Sequence, residues 1–300
     1  PAKVAAPAAD AKAVTVAAKP GEFTPPGVSD YPEGPMGEWV RRGEAIFTRT
    51  PVNAVGFSGN PLSCTNCHLD AGRLKGAAPM WGAYPMYPAY RKKTDHVDTF
   101  AERVRGCFMY SMNGKAPDDG HDVLVALESY AYWMAQKAPT GEKLPGAGFK
   151  KAGKPEETPS YEAGAKVYEA KCALCHAADG KGQFVGDVAV FPPLWGKDSF
   201  NNGAGMNRLL TATRFIRHNM PQGTTFKAPV LTDDEAFDVA AYVLSQPRPV
   251  KAGLDKDFPA RWNKPVDAAF PPYVDGAPAD QHRFGPYPPL LEAAKKRQPN

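Results

Sequence analysis

The 300-residue chain has no run approaching the roughly 18 to 20 consecutive apolar residues that a bilayer-crossing helix requires, which excludes a helical membrane span within it. A strong charge of one sign is also lacking. The 36 Lys and Arg against 32 Asp and Glu leave a net charge of +4, too small an excess to point to nucleic acid. There is no glycine repeat, so collagen is excluded. Neither an initiating methionine nor a signal-peptide pattern opens the chain at Pro1, and it reads as a mature form whose secretion signal has been removed. Cysteine is scarce, with five in all. Apolar residues, at 43%, suffice for a folded protein, and the length suits about two domains. Proline is abundant instead: 32 residues are about double the usual share, which points to loops and wrapping segments.

The five cysteines fall as Cys64 and Cys67, then Cys107, then Cys172 and Cys175. The chain around them is an internal repeat. A helix is predicted from Gly37 to about Thr48, with Trp39, Val40, Gly43, Ile46 and Phe47 as its apolar stripe and Pro51 as its stop. Ser160 to Lys171 repeats it, with Gly164, Val167 and Tyr168 in place of Gly43, Ile46 and Phe47. Pro79-Met80-Trp81-Gly82 recurs as Pro193-Leu194-Trp195-Gly196, and Lys115-Ala116-Pro117 as Lys227-Ala228-Pro229. A predicted helix Asp122–Gln136 recurs as Asp234–Gln246.

The division that follows is a flexible leader over 1–30, a first domain over 31–140, a Gly/Pro/Lys-rich linker over 141–159, a second domain over 160–248 and an arm over 249–300. The arm has many prolines but also Phe258, Trp262, Phe270, Tyr273, Phe284 and Tyr287, more aromatics than a disordered tail carries, and is read as an extended strap packed over the domains.

Cys64-Thr65-Asn66-Cys67-His68 and Cys172-Ala173-Leu174-Cys175-His176 both have the C-x-x-C-H spacing of covalent haem c attachment. Two thiols reach the two vinyl groups of one porphyrin, and the next residue lies under the iron. A zinc knuckle would need four ligands in one site, whereas these pairs lie in separate repeats. A thioredoxin-like pair would call for βαβ patterning, and the flanks are helical. His68 and His176 are therefore the expected proximal ligands, and Met220, in Arg217-His218-Asn219-Met220-Pro221, is the expected distal ligand of the second haem. Met206 and His218 are its rivals.

In the first repeat two side chains compete. Met112 lies as far beyond Cys64 as Met220 lies beyond Cys172. Cys107 is an unpaired thiol in an oxidising compartment, and its basic surroundings favour the thiolate, the better iron ligand and nucleophile. Spacing favours Met112, the free thiol argues for Cys107, and the two stand equal.

The chain resembles the dihaem thiosulfate dehydrogenases, which join two thiosulfates into tetrathionate. The resemblance spans most of residues 30–300 and is densest at Tyr90-Arg91-Lys92-Lys93, from Arg103 through Cys107 to Lys115, and at Asp255-Lys256-Asp257-Phe258-Pro259-Ala260-Arg261-Trp262. It implies an all-α chain of two fused cytochrome c-like domains with Pro-rich arms, in which Cys107 is the distal ligand of a catalytic first haem and the second haem relays electrons. Met112 then packs. Some relatives carry a lysine before the second-haem methionine; Asn219 stands there here, which argues against a lysine-to-methionine ligand exchange.

Between Arg91 and Lys115 six basic residues face three acidic ones, a charge suited to a dianion such as thiosulfate, although haem propionates attract the same side chains. Arg103, Lys115, Arg91, Lys93 and Ser111 are the candidate substrate residues. Arg103 is preferred to Arg105 because it lies four residues before Cys107 and can share its helical face. His96, His121 and His282 are read as structural, and Trp81 to Tyr90 as a haem wall. The expected partners are thiosulfate, tetrathionate and a redox cytochrome or similar acceptor, with no nucleic acid, and the expected compartment is the periplasm. The rival readings are a dihaem cytochrome c peroxidase, an electron shuttle with two His/Met haems, and the cysteine-ligated haem subunit of the sulfur-oxidising multienzyme complex.

Overall fold

A computed structural model describes residues 23–153 and 156–297; residues 1–22, which hold most of the expected leader, residues 154–155 and residues 298–300 lie outside the described residues. In the first half the helices are α1 (Gly34–Thr48), the one-turn α2 (Thr50–Asn53), α3 (Leu69–Gly72) and α4 (Met80–Ala83), then α5 (Phe100–Tyr110) and α6 (Asp122–Met134). The second half follows with α7 (Tyr161–Lys171), one-turn α8 (Ala173–His176), α9 (Leu209–Asn219) and α10 (Asp233–Ser245). Helices α11 (Ala279–Phe284) and α12 (Pro288–Arg297) close the chain. Two small antiparallel hairpins, β1 (Ala89–Arg91) with β2 (His96–Asp98) and β3 (Gln183–Val185) with β4 (Val188–Phe191), are the described strands.

The repeat in the sequence becomes a repeated helix crossing. Helix α1 buries Gly37, Val40, Gly43, Ile46 and Phe47 against α6, and α7 crosses α10 in the same way. Glycine is required at each crossing. A Cβ on Gly43 would lie 2.1 Å from the Ala126 carbonyl oxygen, and one on Gly164 would lie 2.2 Å from that of Asp238. Helix α10 packs on two sides: Ala236, Val239 and Val243 meet Tyr168 and Leu231 of the second domain, while Phe237, Ala240, Ala241 and Leu244 join a core shared with the first. A helix apolar on both faces belongs between two layers.

The linker and arm are docked. Phe149 packs edge-on against Phe215 of α9 at 5.5 Å, the Lys151 carbonyl lies 3.0 Å from His218 Nε2, and the Gly153 N–H donates to Asp233. In the arm, buried Asp267 accepts from Arg208 Nε at 2.8 Å and Nη2 at 2.5 Å and from the Leu210 N–H at 3.2 Å. At the near end, Phe23 stacks 5.4 Å from Trp81, so the stretch beyond residue 22 is packed where the leader reading has it loose. The aromatic ring buries more surface than the loose segment's entropy opposes.

Candidate active site

Helix α5 carries Cys107 and Arg103. Thr99 caps it by accepting from the Glu102 N–H at 3.2 Å, while Glu102 Oε2 accepts from the Thr99 N–H at 2.6 Å. Its other end is held by two asparagines from outside the helix. Asn201 Nδ2 donates to the Met109 carbonyl at 2.9 Å, and Asn60 Nδ2 donates to the Ser111 carbonyl at 2.9 Å, so carbonyls that the helix leaves unpaired are satisfied. Asn60 also reaches the Ser199 carbonyl at 3.2 Å, which ties the second domain to the end of this helix.

Cys107 lies on α5 with Arg103 one turn before it, and Arg103 Nη1 donates to Cys107 Sγ at 3.2 Å. The charge of Cys107 raises the Arg103 pKa, against burial that lowers it. Burial pushes the thiols of Cys64 and Cys67 up to about 12, and the nearby charge of Cys107 adds to both. Cys107 and Arg103 both act on the first C-x-x-C-H, since Arg103 also lowers the His68 pKa.

The two histidines are prepared alike. His68 Nδ1 lies 2.7 Å from the Ala78 carbonyl oxygen, and His176 Nδ1 lies 2.9 Å from that of Pro192. A carbonyl only accepts, so Nδ1 carries the proton and Nε2 keeps the lone pair that a metal takes. Burial lowers both pKa values, which holds the rings neutral. Ala78 and Pro192 immediately precede the repeated Pro79 and Pro193, so one position serves the same purpose in both halves.

The remaining sequence candidates separate. Burial raises the Tyr87 pKa, with Arg103 and Arg91 acting to lower it and Cys107 to raise it. Lys93 is committed elsewhere: it donates to the Gly203 carbonyl at 2.7 Å, pairs with Asp257 at 3.4 Å and lies 3.3 Å over the Tyr110 ring. Burial brings its pKa down to about 8 despite Asp257. Lys115 is exposed, its backbone N–H donating to Phe57. Ser111 caps the end of α5. Arg105 pairs with Asp119 at 2.5 Å.

Met112 is 4% exposed within the shared core, and Met206 packs against the same core. Met220 ends α9 half-buried, and Asn219 beside it donates back to the Phe215 carbonyl. His218 directs Nε2 at the Lys151 carbonyl. His121 caps α6, accepting from the Val123 N–H at 3.1 Å, and His282 bridges the Val266 carbonyl and Asp275 in the arm.

Two residues beside the site escaped the sequence reading as individuals. Tyr87 was grouped with the aromatic wall, and buried Asp98, which accepts from Thr94 at 2.8 Å and acts on Arg103, carries no motif.

The first half, residues 54–139, matches the family described as "SoxA/TsdA, cytochrome c domain", and residues 161–247 match "Cytochrome c". A thiosulfate dehydrogenase of Thiomonas intermedia (strain K12) is 51% identical over 228 residues, 76% of this chain and 72% of the relative. One of Stutzerimonas stutzeri (strain A1501) is 50% identical over 227 residues, 76% of this chain and 73% of the relative. The chain belongs to the thiosulfate dehydrogenase family. Among solved structures, it resembles the thiosulfate dehydrogenase (TsdBA) from Marichromatium purpuratum in its "as isolated" form, with TM-score 0.73 and 42% identity, covering 88% of this chain and 53% of that one. The chain therefore spans about half the length of that protein.

Two cytochrome c domains imply two covalently bound haem c groups, and the residues of this family member fit them. All five cysteines are free, each histidine presents Nε2 as its ligand atom, and buried guanidinium nitrogens lack partners among the described residues: Arg73 Nη1, Arg217 Nη1 and Arg248 Nε. Porphyrin propionates have the chemistry to satisfy such donors. Arg73 and Arg248 sit in no motif, so no sequence signal marks them.

Proposed function

We propose that this chain couples two thiosulfates to tetrathionate at a site built on Cys107, and that the electrons leave through the second domain. The observation that carries the reading is the Arg103 Nη1 to Cys107 Sγ contact of 3.2 Å, on a helix whose Cys107 acts on Cys64 and Cys67 of the first C-x-x-C-H. The first haem would be held by Cys64, Cys67, His68 and Cys107, and the second by Cys172, Cys175, His176 and Met220. When bound, the haems supply one-electron acceptors. The domain boundaries at 31–140 and 160–248, with the linker between and the arm after them, are part of this reading.

Arg103 donates to the Cys107 sulfur and keeps it turned toward the incoming anion. The thiolate bonds to the outer sulfur of one thiosulfate, and two electrons are released, leaving Cys107 as a sulfenyl-type S–S–SO3⁻ adduct. A second thiosulfate attacks the sulfur next to the sulfonate; the Cys107 S–S bond breaks, tetrathionate leaves and the thiolate is restored. Four negative charges meet in this sequence, so cationic donors must surround them. Arg103 and Arg91, both of which act on Tyr87, are assigned the sulfonate groups. Ser111 and exposed Lys115, just beyond α5, are assigned the approach path. Lys93 is assigned a positioning role through Asp257 and Tyr110. Both the attachment chemistry and the substrate fit a periplasmic protein that passes electrons to a redox cytochrome or a similar acceptor.

Replacing Cys107 by Gly tests the reading. Tetrathionate formation should vanish while denatured mass still shows two haems, and the thiolate-type low-spin ferric resonance should disappear. A persisting resonance, or its loss in Met112→Leu, would move the ligand to Met112 and favour the electron-shuttle reading.

A further inference from the structure

Where the linker crosses the second domain, a groove of about 480 Å³ opens between residues 143–150 and the loop that follows α9. Lys143, Lys150 and Lys227 line it, together with Phe149 and Phe226, and no described residue lining it is acidic. All three lysines are exposed, and none of them pairs with a carboxylate among the described residues. Lys150 and Lys227 lie 5.7 and 5.9 Å from the centroid of the same Phe226 ring, and Lys150 Nζ donates only to the Phe226 carbonyl at 3.1 Å. Two ammonium groups gathered at one ring repel each other, and an anion set between them would relieve that repulsion.

The position of this cationic groove matters as much as its charge. Phe226 lies six residues beyond Met220, Phe149 packs on Phe215 of α9, and Asn219 Nδ2 donates to the carbonyl of Gly76 in the groove wall at 3.4 Å. The groove is therefore built beside the segment that carries Met220, and no residue of α5 lines it. Its floor, Pro145 to Gly148, presents backbone and small side chains, so a protein surface can approach closely.

We propose that this groove docks the acidic face of the redox protein that accepts the enzyme's electrons. The proposal rests on the reading that electrons leave through the second domain. Carboxylates around the acceptor's redox centre would sit among Lys143, Lys150 and Lys227, with one electron passed per encounter and two acceptor molecules reduced for each tetrathionate formed. Such pairing acts mainly on the association rate and is screened by salt.

The test uses the holoenzyme, reduced with dithionite and mixed in a stopped-flow instrument with an oxidised acidic cytochrome c or, as a control, a basic one. The triple variant Lys143→Glu/Lys150→Glu/Lys227→Glu should oxidise at least about tenfold more slowly with the acidic acceptor at low salt and faster with the basic one. Its salt dependence with the acidic acceptor should reverse in sign. The corresponding Gln variant, which adds no repulsion, should fall between. Unchanged rates and salt slopes for both acceptors would overturn the proposal. It would also fall if the acceptor rates stayed normal while reduction by thiosulfate slowed, since the lysines would then serve the substrate anion. Wild-type haems that thiosulfate fails to reduce would defeat the proposed function, and the dithionite experiment would still decide the docking surface.

Discussion

A single hydrogen bond joins Arg103 Nη1 to Cys107 Sγ on α5, the pair on which the proposed reaction rests. A charge-assisted bond of this kind contributes roughly 1.5 to 3 kcal/mol, so Arg103→Gln should lower kcat/KM for thiosulfate about ten- to a hundredfold. Kinetics and the first-haem potential should be measured together; normal kinetics with a shifted potential would restrict Arg103 to the haem. Lys93 illustrates the opposite balance, because burial outweighs its carboxylate partner. Its pKa of about 8 in the fold lies below the ordinary 10.5, so between those values the unfolded chain binds more protons and stability rises with pH. Below about pH 8 both states are protonated and the burial cost is present in full. Lys93→Met should flatten the rise in denaturant-unfolding free energy across that window, leaving a residue from Lys264, which burial also brings down to about 8. An undiminished rise in the variant would assign the effect to other groups.

The helix crossings set the element scale. A methyl group at Gly43 or Gly164 would enter the backbone of the facing helix, so Gly43→Ala and Gly164→Ala should each destabilise by roughly 1 to 3 kcal/mol. A Cβ at Gly205 meets nothing within 4 Å, and Gly205→Ala should leave the melting temperature nearly unchanged, which makes it the control. Equal melting temperatures for all three would show that the crossings can open without cost. The repeat made these glycines legible, because Gly43 and Gly164 recur at matched positions. The ends of the helices were less so: α1 begins at Gly34 rather than Gly37, where Pro35 fits a first turn whose N–H groups have no partner to lose. Four short strands are described in a chain expected to be all-helical, and they pair into two small hairpins in the loops between helices.

At the scale of the molecule, the domains are joined by buried polar clamps and by the arm. Asn201, 1% exposed, donates to the Met109 carbonyl and to Asn113 and accepts from the Gly203 N–H, so it binds the second domain to the helix of Cys107. Asp267 does the same for the arm. Removing it in Asp267→Ala leaves the Arg208 guanidinium without its carboxylate, at a cost of about 3 kcal/mol. The arm should then exchange backbone hydrogens faster across residues 254–297 while both haems stay attached. Protection that matches the wild type would mean that aromatic packing alone holds the arm.

Much of this protein follows from residues close together in the chain. Covalent haem attachment depends on a spacing of three residues, the crossing glycines on helical periodicity, and the Arg103–Cys107 pair on one helical turn; each is local geometry, so the sequence by itself determined it. What surrounds those features comes from far along the chain. Ala78 and Pro192 fix the histidine tautomers, Arg91 and Arg103 both act on Tyr87, Asp257 and the Gly203 carbonyl engage Lys93, and Asn60 and Asn201 complete the end of α5. Spacing favours Met112 as the counterpart of Met220; in the fold Met112 is packed into the core, while Cys107 lies near enough to Cys64 and Cys67 to act on both. Only the tertiary structure decided these, because burial and hydrogen bonding between distant segments depend on how the two halves and the arm pack, which no spacing encodes.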